Sequence, residues 1–265
     1  MRTISLNADL GEGFGAWSYG DDEALLDVVT DANVACGFHG GDPDVIRRTC
    51  AMAVERGVRI GAHPGFPDIR GFGRRHIVMP RSSVVNDVLY QLGALAALAG
   101  AEGAALSYVK PHGALYHAAV ADENYAIAVV EAIRTFDPSL PLLCQPGSRL
   151  AEHAESAGLR ALAEGFIDRR YTETGLLVPR SEPGAVIAEH DAAVGQAVRM
   201  ATESTVETQG GAVLPMRVDS LCVHSDSPGA AAFARATKAA LEAAGVTVTS
   251  MTEHASPRHR APSRP

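Results

Sequence analysis

A chain of 265 residues with 46% apolar content can build one large α/β domain or two small ones, with a full core in either case. A formal net charge of −8 excludes sequence-independent nucleic-acid binding, which needs a basic surface to displace counterions. No charged-then-apolar leader opens the sequence, and no apolar run approaches the roughly 18 residues of a bilayer span, so no membrane partner is expected. The first element read along the chain is a strand at 4–8. Asp21 or Asp22 then caps a helix carrying Leu25, Leu26, Val28 and Val29. A second strand at 34–36 runs into the turn GFHGGDP, where Asp42 caps and Pro43 opens a helix that stops at Gly57. A third strand covers 59–62. Ser82 or Ser83 then caps a long helix with Val85, Val88, Leu89, Leu92, Leu95 and Ala96 at helical spacing.

The unit keeps recurring. A strand at 106–109 precedes a helix capped by Asp122 over 123–135. A strand at 142–144 precedes a helix capped by Ser148 that ends near Gly158, and a further strand covers 161–163. The segment 166–187 is polar, contains Gly and Pro, and is too long for a plain connection, which marks it as functional. A helix at 191–202, a turn at 209–211, a strand at 221–223 and a helix at 229–244 opened by Ser227-Pro228 complete the pattern. Strict alternation implies a parallel sheet, because parallel neighbours need helical crossovers. No GxGxxG follows the first strand, which favours a closed (β/α) barrel over an open dinucleotide-binding sheet. One barrel domain over 1–253 is expected, followed by a disordered Pro- and Arg-rich tail at 254–265.

The C-terminal ends of the strands concentrate the chemistry. In order they lead to Asn7, Asp9 and Glu12; His39 and Asp42; His63; Lys110 and His112; Gln145; Glu164 and Asp168; and His224 and Asp226. Ligands bind at those ends in parallel α/β folds. Asp42 is accounted for as a helix cap, whereas four histidines at four strand ends point to function. Lys110, at the edge of the interior, requires a carboxylate partner to stay charged, and suits a carboxylate, a phosphate or a developing oxyanion. Arg74 and Arg75, and Arg169, Arg170 and Arg180 in the long polar loop, offer forks for carboxylates or phosphates. The four cysteines (Cys36, Cys50, Cys144 and Cys222) form no CxxC pair, so buried reduced thiols and a cytoplasmic location are expected. P-loop, GxSxG and HExxH motifs are absent. Scattered His and Asp can equally hold a divalent metal or act without one, and spacing does not separate the two.

Taken together, LNADLGEGFG (6–15), DANVACGFHGGDP (31–43), GAHPGFPDIRGFGRR (61–75), VKPHGALY (109–116), RRYTETGLLVPRSEPGAVI (169–187) and CVHSD (222–226) resemble the LamB/YcsF family. The resemblance runs from about residue 4 to 245. One departure is Ser225, where the family motif HGDNP has Gly.

The resemblance implies a seven-stranded TIM-like barrel related to carbohydrate-deacetylase barrels. It implies ATP-dependent opening of the 5-oxo-L-proline lactam to L-glutamate, with the chain as the A component of a 5-oxoprolinase and subunits B and C as its partners. ATP is then a co-substrate, and a divalent metal such as Mg its companion. On that basis Asp9, His39, His63 and His112 are candidates for proton transfer and Lys110 for charge stabilisation. Arg180 is the candidate for the substrate carboxylate, with Asn7, Glu12, His224 and Asp226 as further substrate-binding residues. Two alternatives stand beside it: a metal-dependent amide or carbohydrate deacetylase, and a non-catalytic substrate-binding subunit of a hydrolase complex.

Overall fold

The structure is a computed structural model and describes residues 2–180, 182–223 and 229–251. Five parallel strands follow one another around a cylinder: β1 (Arg2–Leu10), β2 (Asp31–Ala35), β3 (Arg59–His63), β4 (Tyr108–Val109) and β5 (Leu142–Cys144). After them come β6 (Ala161–Phe166), the antiparallel hairpin β7 (Thr205–Glu207) and β8 (Val213–Pro215), then β9 (Ser220–Val223) and β10 (Val246–Val248). β6 pairs with β9 and β9 pairs with β1, so among the described residues β1–β6 and β9 close a seven-stranded parallel barrel. The short β10 adds to the start of β1, from Arg2 to Ile4.

Helices pack outside the barrel: α1 (Asp22–Leu26), α2 (Pro43–Glu55), α3 (Arg81–Ala101), α4 (Gly113–Ala121), α5 (Glu123–Phe136), α6 (Arg149–Ser156), α7 (His190–Glu203) and α8 (Ala230–Ala243). Several caps sit where the sequence places them. Asp42 accepts from the amides of Asp44 and Val45, Asp122 from Asn124, and Ser148 from Ala151. The start of α3 differs: Pro80 occupies the cap position, and Ser82 and Ser83 fall inside the first turn. Proline's fixed φ of −58° sets the chain up for a helix without a side-chain cap. The α3 helix is also long and apolar enough to span a bilayer by length and composition, although Val84, Val88, Leu92, Leu95 and Ala99 bury one of its faces here. The Ser227-Pro228 signal and the tail at 254–265 lie outside the described residues.

At the opening of β2, Asp31 is fully buried, and its carboxylate accepts from Thr30 Oγ1 at 2.7 Å and the Met251 amide at 3.3 Å. Burial outweighs those hydrogen bonds and pushes its carboxyl from 3.8 up to about 7. A carboxyl that holds its proton more tightly in the folded state stabilises the fold fully below its unfolded value, and that stabilisation is lost as pH rises through about 7. Over three pH units this amounts to about 4 kcal/mol. Between pH 4 and pH 8, the denaturant midpoint therefore falls in the wild type and falls much less in Asp31→Asn.

Candidate active site

All seven barrel strands are parallel, so their C-terminal ends meet at one mouth. Asn7 and Asp9 lie near the end of β1, His63 is the last residue of β3, and Lys110 and His112 closely follow β4. Glu12 and His39 come from the turns after β1 and β2. Asp9, His63, Lys110 and His112 face a cavity of about 740 Å³, whose outer wall includes Gln145 and Arg180.

The Lys110 ammonium is the hub. It lies 2.8 Å from Glu164 Oε1, 3.0 Å from Asp9 Oδ1, 3.2 Å from Asn7 Oδ1 and 3.2 Å from Cys222 Sγ. Burial alone would lower its pKa, but Asp9, Cys222 and Glu164 more than offset that and hold it well above the usual lysine value. Burial likewise raises Asp9, yet His63 and Lys110 hold its carboxyl well below the ordinary range. Glu164 goes the other way, because burial raises it more than Lys110 lowers it. The pocket thus separates a firmly ionised carboxylate from one that takes a proton more readily, a division suited to acid–base work.

Beneath the hub lies a polar floor inside the barrel. Asn33 Nδ2 donates to Asn7 Oδ1 and to Asp9 Oδ1, both at 2.8 Å, and the Tyr108 hydroxyl donates to Asn33 Oδ1 at 2.6 Å. Asn7 Nδ2 in turn donates to Ser220 Oγ at 2.7 Å. Asn7 is fully buried and committed to Lys110, Asn33 and Ser220, which makes it a positioning residue rather than a surface offered to substrate.

Three histidines form the second half of the site. The rings of His39 and His112 stack, with centroids 3.7 Å apart and planes within 1°, and His63 stands edge-on to both. Gly73 seats the stack: a Cβ there would lie 2.6 Å from His39 Cβ and 2.7 Å from His112 Cδ2, and its φ of +63° suits glycine. Burial, with the other two rings adding to it, keeps His39 well below the usual histidine value, and burial with His63 brings His112 down to about 3. Both rings are neutral near pH 7. Glu12 contacts His39 Nε2 at 3.2 Å and His112 Nδ1 at 3.4 Å. Glu12, His39, His63 and His112 bring ligand atoms within 4.8 Å of one another, all buried, in a form able to hold a metal ion.

The LamB/YcsF family profile matches residues 4–256. The chain belongs to the LamB/YcsF family. It is 54% identical over 245 residues to the 5-oxoprolinase A subunit of Streptomyces avermitilis, covering 92% of this chain and 98% of that protein. It is 51% identical over 250 residues to the protein of the same name from Methylococcus capsulatus, covering 94% and 96%. Among solved structures, the lactam utilization protein from Thermus thermophilus superposes with a TM-score of 0.89 at 47% identity. The match covers 93% of this chain and 99% of that one.

Within this LamB/YcsF chain, the described part of the long segment, 166–180 and 182–187, supplies one wall of the cavity through Phe166, Arg169, Leu176, Leu177, Pro179 and Arg180. Its bridges run from Arg169 to Val186 and from Tyr171 to Leu177 and Thr208, and Gln196 on α7 reaches the carbonyls of Phe166, Ile167 and Arg169. It brings Arg180 to the cavity wall together with Arg169, a fully buried guanidinium held by the Val178 and Ala185 carbonyls. Burial, with Arg180 nearby, lowers Arg169 to about 10, still fully charged near neutrality. The sequence marks Glu164 as a strand-end carboxylate and Arg169 as one of the loop arginines, but assigns neither a role in the site. Both lie at or just beyond the end of a strand, but their inward direction is set by the barrel. His224 and Asp226 lie outside the described residues.

Proposed function

We propose that this chain is the A component of an ATP-dependent 5-oxoprolinase, working with subunits B and C to open 5-oxo-L-proline to L-glutamate. The observation that carries the proposal is the Lys110–Asp9–His63 cluster at the barrel mouth of a chain about half identical to 5-oxoprolinase A subunits. We place it in the cytoplasm, a reducing setting that suits its four buried free thiols.

A five-membered lactam is an unreactive amide, so ATP, entering with a divalent cation such as Mg, transfers its terminal phosphoryl group to the lactam oxygen. Water then adds to the activated carbon, the ring nitrogen takes a proton and leaves, and the resulting acyl phosphate is hydrolysed to glutamate and phosphate. Lys110 stabilises negative charge developing at the reacting carbon. Asp9, held ionised at the cavity beside Lys110, takes the proton of the attacking water, and the Lys110 carbonyl orients His63 through its Nδ1 at 2.7 Å. The proton taken from the water passes on to the leaving ring nitrogen, and His39 and His112, neutral and stacked, back the cluster. Arg169 and Arg180 supply positive charge for the substrate carboxylate.

The buried histidine–glutamate set favours a second reading, metal-dependent amide hydrolysis or carbohydrate deacetylation without ATP. An assay of glutamate and ADP from 5-oxoproline and ATP separates the two. Stoichiometric glutamate and ADP are expected when the chain is combined with subunits B and C. Glutamate released without ATP, or none from the full combination, refutes the proposal.

A further inference from the structure

The hydrogens in the histidine cluster can be placed from their partners. His63 Nδ1 lies 2.7 Å from the Lys110 carbonyl oxygen, and His112 Nε2 lies 2.8 Å from the Phe72 carbonyl oxygen. A carbonyl oxygen only accepts, so each of these nitrogens carries its ring's hydrogen. The opposite nitrogens, His63 Nε2 and His112 Nδ1, then face one another 3.0 Å apart with a lone pair on each. Carboxylate oxygens flank them: Asp9 Oδ2 is 3.3 Å from His63 Nε2, and Glu12 Oε1 is 3.4 Å from His112 Nδ1. Asp9, held ionised, also only accepts. The two facing ring nitrogens thus meet lone pair to lone pair in a buried setting lined by carboxylates, an arrangement that a bound cation would relieve.

We propose that Glu12, His63 and His112 bind one divalent transition-metal ion of the zinc, cobalt or manganese class, with Asp9 beside it. Three observations beyond the lone pairs support it. The donor atoms of Glu12, His63 and His112 all lie within 4.8 Å of one another, with neighbours 3.0 and 3.4 Å apart, close to the spacing of ligands that share a metal at about 2.1 Å. Both histidines anchor their far nitrogens on backbone carbonyls, the outer-shell arrangement that fixes a ligand's tautomer and direction. Two imidazoles favour a borderline metal over Mg, which prefers oxygen ligands and retained water. His39 is then a positioning residue, stacked on His112 and donating from Nε2 to Glu12. The assignment stands on side-chain geometry alone and holds whichever amide the barrel opens.

The test uses the full chain stripped with chelator and then titrated separately with Zn²⁺, Co²⁺ and Mg²⁺. The expected result is one tight site for Zn²⁺ or Co²⁺, visible Co²⁺ absorption bands, and a raised thermal midpoint that Mg²⁺ does not reproduce. His112→Gln keeps a donor for the Phe72 carbonyl, and it should fold while losing at least about 100-fold in affinity. His153→Gln on α6, outside the cluster, should bind as the wild type does. Absence of a stoichiometric site, tighter binding of Mg²⁺ than of Zn²⁺, or binding that survives His112→Gln overturns the proposal. A proton shared between the two rings would then account for their contact.

Discussion

Lys110→Met lowers turnover by at least about a thousandfold and destabilises the chain by about 3–5 kcal/mol. Both effects have one source. The ammonium is 3% exposed and sits within 3.0 Å of Asp9 and 2.8 Å of Glu164. Methionine is unbranched and only one atom shorter, but it leaves Asp9 and Glu164 buried without their cation. Burial would then drive protons onto both carboxyls, so the variant regains stability as pH falls, whereas activity does not return. Lys110→Arg is no rescue, because a planar fork does not fit where a compact ammonium meets four different atoms. Chemical denaturation at pH 5 and pH 8, beside steady-state kinetics, measures both effects. Retention of even a tenth of wild-type turnover by Lys110→Met removes this residue from the chemistry.

Gly61→Ala destabilises the fold by about 3 kcal/mol or more and takes activity with it. Gly61 pairs with Tyr108 across β3 and β4, and a Cβ at Gly61 would collide with the Tyr108 ring. The barrel wall holds both backbones, so the ring must swing away. Its hydroxyl then releases Asn33, whose amide holds Asp9 beneath Lys110. Overpacking alone costs about 1–3 kcal/mol, and the broken buried hydrogen bond adds to it. Tyr108→Ala in the Gly61→Ala background should restore part of the stability but not the activity, because the space returns and the hydroxyl does not. Additive losses in the double variant would show that the two residues are independent.

The barrel was legible because each of its strands is an apolar run followed by a helix with a polar cap, so pattern and fold agree. What escaped had weak patterning. The hairpin β7–β8 is largely exposed and β10 is three residues long, so neither carries a buried face that reads as a strand. The α4 segment GALYHAAVA is apolar on nearly every side and shows no stripe, because almost all of it is buried between its neighbours.

The strand-end rule brought Asp9, His39, His63, Lys110 and His112 into one cluster with contacts of 3.0–3.7 Å between neighbouring members. It could not foresee that Asn7 serves the floor, since whether an amide faces a ligand or a neighbouring strand depends on barrel closure. The roles of Glu164 and Arg169, both named from the sequence, were hidden for the same reason. The expectation for Lys110 held in its conditional form: a partnering carboxylate was required, and the barrel provides Asp9 and Glu164.

The pairing of β1 with β9 and β10 also orders the protein's birth. The strand bearing Asp9 is made well before its second barrel neighbour, which emerges about two hundred residues later. At about 5–20 residues per second, this leaves one edge of β1 without its partner for roughly 10–40 s on the ribosome. Until Ser220 and Cys222 arrive, Asn7 lacks its acceptor and Lys110 lacks one wall of its pocket. The site can therefore be assembled only once β9 has emerged, and a chain cut short before β9 presents an open strand edge to its neighbours.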